Sequence, residues 1–231
     1  MNVTNHKGPV LSVLQEIFGR GDDSPPHPNF HQAVKVIEFP TVHKKDNEPV
    51  NLIWPDIQRG PWIAGGAALR WYQNQPVGDS DIDVFCANAR QAADVISRIK
   101  SYGRHSVKFE SENALTLDYW SKENYSDRWT IQIITRRYFN SLEEVINNFD
   151  ITVCEVGTAG NEWLLGPFTA RDIRERNLNF KLPLQPDAMK RLVKYWAYGY
   201  RPVEGTIEAI QNNPIAKWQF SAETEDYQNA F

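Results

Sequence analysis

Asp81 and Asp83 are the residues whose types and spacing pose chemistry most directly. In an extended strand, side chains two apart share a face, so this pair projects together while Ile82 and Val84 point into a core. Two adjacent carboxylates repel one another. Keeping both ionised near neutral pH calls for a cation between them, and an oxygen-only ligand set favours Mg2+, or Mn2+, over zinc. Asp79 joins the same face if the strand starts early, and is a turn residue otherwise.

A second constellation precedes the first. Gly65 and Gly66, lacking Cβ, let backbone approach a ligand closely and expose its amides, as a phosphate seat requires. A helix predicted over residues 67–73 follows, with its partly positive amino end at the glycines and Arg70 one turn inside. The order glycine pair, helix, polar turn and paired carboxylates on a strand is far more specific than any one part.

The elements that must position these residues are legible on both sides. Val10–Phe18 has helical apolar spacing, residues 33–39 (AVKVIEF) alternate as a strand, and Thr41–Gly60 reads as an irregular connection. His27, His31 and His43 match no ligand spacing. Beyond the carboxylates, residues 89–100 predict a helix ended by Gly103. Strands are expected at His105–Phe109, Ala114–Trp120 and Trp129–Thr135, the last two joined by the turn SKENYSD. Ser141 and Glu144 form a capping-box pattern, FDITVCEVG reads as a strand entered at Asp150, and Thr169 and Asp172 are candidate caps. A helix is expected from Pro186 and Asp187 onward, with a shorter one at Glu204–Gln211.

Between Gly166 and Arg201 there are eight Lys and Arg against three Asp and Glu, a local balance of 8 minus 3, or +5, in a chain whose net charge is -4. Lys190, Lys194 and Arg201 fall along one helical flank near Tyr195 and Tyr198, an arrangement suited to triphosphate contact and base stacking. The overall acidity argues against a chain that coats nucleic acid non-specifically. Cys86 and Cys154 sit in apolar runs and are expected to be buried free thiols. No apolar run approaches the roughly 20 residues of a membrane span, so a soluble, cytoplasmic protein is expected.

The stretch WIAGGAALRWYQNQPVGDSDIDVF resembles the signature of the DNA polymerase β-like nucleotidyltransferase superfamily. More narrowly, GGAALRWY with SDIDVF is similar to the head domains of tRNA CCA-adding and poly(A)-polymerase-type enzymes, and FDITVCEVG and RLVKYWAYGY resemble uncharacterised nucleotidyltransferase-like proteins of bacteriophages and large DNA viruses. The resemblance implies an α+β fold, a mixed and mostly antiparallel sheet flanked by helices, with a C-terminal helical appendage. It divides the chain into a loop-rich extension (1–60), a nucleotidyltransferase-like core (61–166) and a helical segment with a tail (167–231).

In that superfamily a third carboxylate on a neighbouring strand completes the metal site, which makes Asp150 the candidate, with Asp118 and Glu155 as rivals. The resemblance thus implies Asp81, Asp83 and Asp150 as catalytic metal ligands, and Gly65, Gly66, Arg70, Ser80, Lys190, Lys194 and Tyr195 as nucleotide contacts. It implies a nucleoside triphosphate substrate such as ATP, and an RNA or tRNA-like acceptor in the cytoplasm, that of the host for a phage protein. The chain departs from full CCA-adding enzymes in lacking their arginine-rich base-selecting template and in its short length. A binding protein without turnover, or an interaction protein that reuses the fold, are the alternatives. Oligomeric state is not encoded in any of these patterns.

Overall fold

The computed structural model describes residues 34–36 and 41–213, and the helix expected at Val10–Phe18 lies outside them. Ten strands occur among the described residues: β1 (Val34–Val36), β2 (Trp62–Ala64), β3 (Ile82–Phe85), β4 (Arg104–Glu110), β5 (Ala114–Trp120), β6 (Arg128–Ile134), β7 (Val156–Thr158), β8 (Trp163–Leu165), β9 (Asn177–Leu178) and β10 (Arg201–Pro202). Seven α-helices accompany them: α1 (Asn47–Ile53), α2 (Gly66–Tyr72), α3 (Ala89–Tyr102), α4 (Leu142–Asn147), α5 (Thr169–Glu175), α6 (Ala188–Ala197) and α7 (Thr206–Asn212).

Eight strands form one sheet in the order β1-β8-β7-β2-β3-β6-β5-β4, and β9 pairs with β10 separately. Within the large sheet only β3 and β6 run parallel; every other neighbouring pair is antiparallel. The fold is therefore α+β, with a mixed, mostly antiparallel sheet. Its two central strands, β2 and β3, carry the approach to the glycine pair and the carboxylates.

Burial on both faces explains why Trp62, Ile63 and Ala64 form an unbroken apolar run. Ile63, Ile82 and Val84 pack with Ala67, Trp71, Val95 and Ile99 from α2 and α3. Trp62, Ala64 and Phe85 face the other way, against Phe139 and the α4 residues Leu142, Val145 and Ile146. Each fully buried large side chain contributes on the order of 2–3 kcal/mol. Because side chains alternate across β3, the carboxylates share the face of Phe85.

Contacts cross both boundaries expected near residues 60 and 166, and all described residues fall in one compact unit, His31–Phe231. Asp46, buried at 2% exposure, accepts hydrogen bonds from Trp71 Nε1 (2.7 Å), the Val77 amide (2.8 Å) and Trp129 Nε1 (2.8 Å). On the other side, Cys154 Sγ donates to the Tyr195 hydroxyl of α6 at 2.9 Å.

Three local expectations need correction. Thr41–Gly60 is not an irregular connection: a 3-10 turn (Lys44–Asp46) leads into α1, with Pro49 in its first turn, where a missing N–H costs no hydrogen bond. FDITVCEVG is not a continuous strand. Its centre, Thr152–Cys154, is a 3-10 turn in which the Thr152 hydroxyl donates to Asp172 (2.6 Å), so only β7 pairs in the sheet. Thr169 and Asp172 do not cap α5, because the Thr169 hydroxyl donates to the Thr152 carbonyl (2.7 Å) and Asp172 accepts from Thr152, Asn179 and Arg171.

Other expectations hold. The Ser141 hydroxyl accepts from the Glu144 amide at 3.2 Å. The Asn88 side chain opens α3 by accepting from the Gln91 amide, and β5 and β6 form the expected hairpin around Ser121–Asp127.

Candidate nucleotide site

Asp81 is exposed immediately before β3, and Asp83, two residues on and within the strand, is only partly accessible. Burial pushes the Asp83 carboxyl up to about 7; the Asp81 charge adds to this, while Lys194 and Arg191 pull in the opposite direction. Two carboxylates two residues apart, one of them with its ionised form disfavoured, are oxygen donors of the kind that a hard divalent cation such as Mg2+ or Mn2+ takes.

Gly65 closes against this carboxylate. Its φ of +79° strains any residue with a side chain, and an added Cβ would lie 3.1 Å from the Phe149 ring and 3.7 Å from Asp83 Oδ2. The Gly65 amide donates to the Val156 carbonyl at 2.9 Å. That amide is thus engaged within the chain's own backbone, which passes close beside Asp83 here. Gly66 differs, since a Cβ there would meet nothing within 4 Å.

A cleft of about 150 Å³ opens at Gly66, and Arg70, Ser80, Arg176, Lys194 and Tyr195 are among the residues that line it. Five of the expected nucleotide contacts, Gly66, Arg70, Ser80, Lys194 and Tyr195, are thus brought together. Arg70 is anchored by its Nε donating to the Pro76 carbonyl (2.8 Å), with its guanidinium 5.9 Å from the Tyr198 ring centroid. Tyr195 is buried, and burial keeps its phenol protonated well above the ordinary range.

Lys190 is exposed and lies outside the cleft. It precedes Lys194 by one turn, about 6 Å along the axis, so the shared flank does not bring both to one point. Arg176 was not singled out by the sequence beyond its place in the basic count. As the left-handed C-cap of α5 (φ 59°), it turns toward Tyr200, 5.3 Å from the ring centroid, and adds a third cation to the cleft wall.

The expected Asp81–Asp83–Asp150 ligand set is not assembled. Among the described residues, no three His, Cys, Asp or Glu side chains stand together in a way that could hold a metal. Asp150 is buried and ion-paired with Arg191, which Asp187 holds from its other edge at 2.8 and 2.9 Å. Burial raises the Asp150 carboxyl against the pull of Arg191, and Oδ2 has no hydrogen-bond partner. The two rivals are also engaged: Glu155 is buried against Lys181, and Asp118, on β5, accepts from the Thr130 hydroxyl at 2.9 Å. The 3-10 turn after Asp150 is the physical reason, because it removes the strand that was to carry this residue beside β3.

A family model described as Gabija anti-defense 2 family protein matches residues 35–176, more than half the chain. The chain belongs to the Gabija anti-defense 2 family. The matched region holds Gly65, Gly66, Asp81, Asp83 and Asp150, while Lys190, Lys194 and Tyr195 follow it. No curated protein matches.

Among solved structures, the chain is similar to the Bacillus stearothermophilus CCA-adding enzyme in complex with CTP, at 18% identity and a TM-score of 0.48 over 74% of this chain and 44% of that one. It is also similar to a CCA-adding enzyme with ATP (15%, TM-score 0.49, 76% and 42%) and to the Thermotoga maritima CCA-adding enzyme complexed with tRNA (14%, TM-score 0.44, 73% and 39%). The chain spans less than half the length of these enzymes.

Proposed function

We propose that this protein is a metal-dependent nucleotidyltransferase that moves a nucleoside monophosphate from a nucleoside triphosphate to an acceptor hydroxyl, with an RNA end as acceptor and pyrophosphate as leaving group. The observation that carries this reading is the convergence of Arg70, Arg176 and Lys194 on a cleft bounded by Gly66 and Ser80, immediately before the Asp81–Asp83 strand. Three cations lining one cleft favour a polyanion such as a triphosphate.

In this reading Asp81 and Asp83 would hold Mg2+ or Mn2+, which would supply Lewis-acid charge when bound. Lys194, Arg70 and Arg176 bind the triphosphate and stabilise the charge that collects on departing pyrophosphate. The acceptor oxygen bonds to the α-phosphorus as the bond to the β-phosphate bridging oxygen breaks, and the acceptor proton passes to solvent or to a carboxylate of β3. Gly65 keeps the backbone close beside Asp83, and the ion pair of Arg191, on α6, with Asp150 ties that helix to the segment before β7 and so positions Lys194. The family description names anti-defence against Gabija as the setting; in this reading nucleotidyl transfer would be the means.

The test is incubation of purified protein with Mg2+ or Mn2+, each α-labelled nucleoside triphosphate and total RNA. Labelled product that disappears in both Asp81→Ala and Asp83→Ala supports transfer. A second reading, nucleotide or RNA binding without turnover, is favoured by the engagement of Asp150 with Arg191, which leaves two carboxylates at the site. Retained nucleotide without labelled product would select it.

A further inference from the structure

The last turn of α6 and the residues after it carry an exposed surface that begins at the cleft wall and extends beyond it. Val193 is 56% exposed and Trp196 45% in a ten-residue helix that has no acidic residue, and Tyr198, its C-cap, is 44% exposed. An indole left in water beside another large apolar side chain forgoes burial, and such a patch marks a contact surface. Its electrostatic setting narrows the partner. Arg171, Arg174 and Arg191 are paired with Asp172, Glu175 and Asp187, whereas Lys190, Lys194, Arg176 and Arg201 form no ion pair among the described residues. Arg201 stands 5.9 Å from the Trp196 ring centroid, and Arg70 stands at the same distance from the Tyr198 ring.

Exposed aromatic rings flanked by unpaired cations fit a chain that presents unstacked rings between negative charges. Single-stranded nucleic acid has that chemistry, and a duplex, whose bases are stacked inward, does not. Lys194 and Tyr198 lie both on this turn and in the cleft wall, so the surface continues into the nucleotide site. We propose that the Trp196–Tyr198 turn with Arg201 is the platform on which a single-stranded RNA end is laid before it enters the cleft. This rests on the transferase reading for the direction of entry. The binding itself does not depend on turnover.

The experiment measures fluorescence anisotropy of a labelled single-stranded RNA of about 12 nucleotides, within the span covered by one such site, on the full chain without nucleoside triphosphate. Trp196→Ala is expected to weaken binding by roughly 5- to 100-fold, the range for loss of one stacked base, while Trp196→Phe retains most of it. Arg201→Gln is expected to lower the dependence of binding on salt by about one released counterion. Binding of labelled ATP by equilibrium dialysis is expected to be unchanged in Trp196→Ala.

The proposal is overturned if the wild type does not bind the RNA, if Trp196→Ala binds as the wild type does, or if a duplex binds equally well. It is also overturned if sedimentation shows a dimer that Trp196→Ala dissociates, since the surface is then a self-interface. ATP binding that is absent throughout, with RNA binding still lost in Trp196→Ala, sinks the transferase reading and leaves the platform standing.

Discussion

Replacing each glycine of the pair with alanine separates two different surroundings, a crowded one at Gly65 and an open one at Gly66. At Gly65 the backbone has φ +79°, and the new Cβ would stand 3.1 Å from two Phe149 ring carbons. A sparsely populated backbone conformation costs about 1–3 kcal/mol in a residue with a side chain, and overpacking adds roughly 1–3 kcal/mol. Some relaxation of the Phe149 ring is expected, so we take about 3 kcal/mol as the net loss for Gly65→Ala. For a domain of this size that corresponds to a melting temperature lower by about 6–12 °C. At Gly66 the Cβ enters open space, so the same substitution should shift melting by less than about 2 °C. Its methyl group would stand in the cleft, however, and nucleotide binding should weaken by about tenfold or more. Differential scanning fluorimetry and equilibrium dialysis read the two effects. Gly65→Ala melting with the wild type, or Gly66→Ala destabilised as severely as Gly65→Ala, would refute the reasoning.

Three further outcomes follow from the packing. Asp46→Ala strands two indole N–H groups and the Val77 amide in the core, and urea denaturation should show a loss of about 3–5 kcal/mol. For Glu48, burial pushes the carboxyl up, but hydrogen bonds from Ser121 (2.5 Å), Tyr119 (2.7 Å) and the Lys122 amide (3.0 Å) outweigh it, and the net shift is downward. A lowered folded-state pKa contributes stability above the unfolded value, near 4.3, that is lost as pH falls through the folded value. The stability difference between wild type and Glu48→Gln should therefore be constant from about pH 6 to 8 and shrink below about pH 4. Burial pushes both thiols, Cys86 and Cys154, up to about 12. A thiol reagent at about pH 8 should label neither in the native protein and both in denaturant, and prompt native labelling would contradict the burial.

The parts of the fold that were legible in the sequence are those governed by local periodicity. β3 and α3 follow from alternation and helical spacing, and Ser141 and Glu144 from cap chemistry. The cleft was legible in part, because Gly66, Arg70 and Ser80 lie close in sequence to the carboxylates, while Lys194 and Tyr195 arrive on α6 through tertiary packing. What could not be read were long-range pairings. Nothing local to Asp46 announces its bonds to Trp71 and Trp129, and nothing near Asp150 announces Arg191, 41 positions away. FDITVCEVG has the β-branched composition of a strand, yet its threonine hydroxyl is taken by Asp172 and the backbone turns instead. Arg176 reaches the cleft through a left-handed helix end that its own residue type does not favour.

In the proposed function the cleft seats a nucleotide against Asp81 and Asp83. The most direct measurement is a crystal structure with a non-hydrolysable nucleoside triphosphate and Mn2+, with the metal located by its anomalous scattering. Manganese is expected at Asp81 and Asp83, and the triphosphate against Arg70, Arg176 and Lys194. Manganese at Asp150 or Glu155, or a nucleotide bound away from Gly66 and Ser80, would contradict that function.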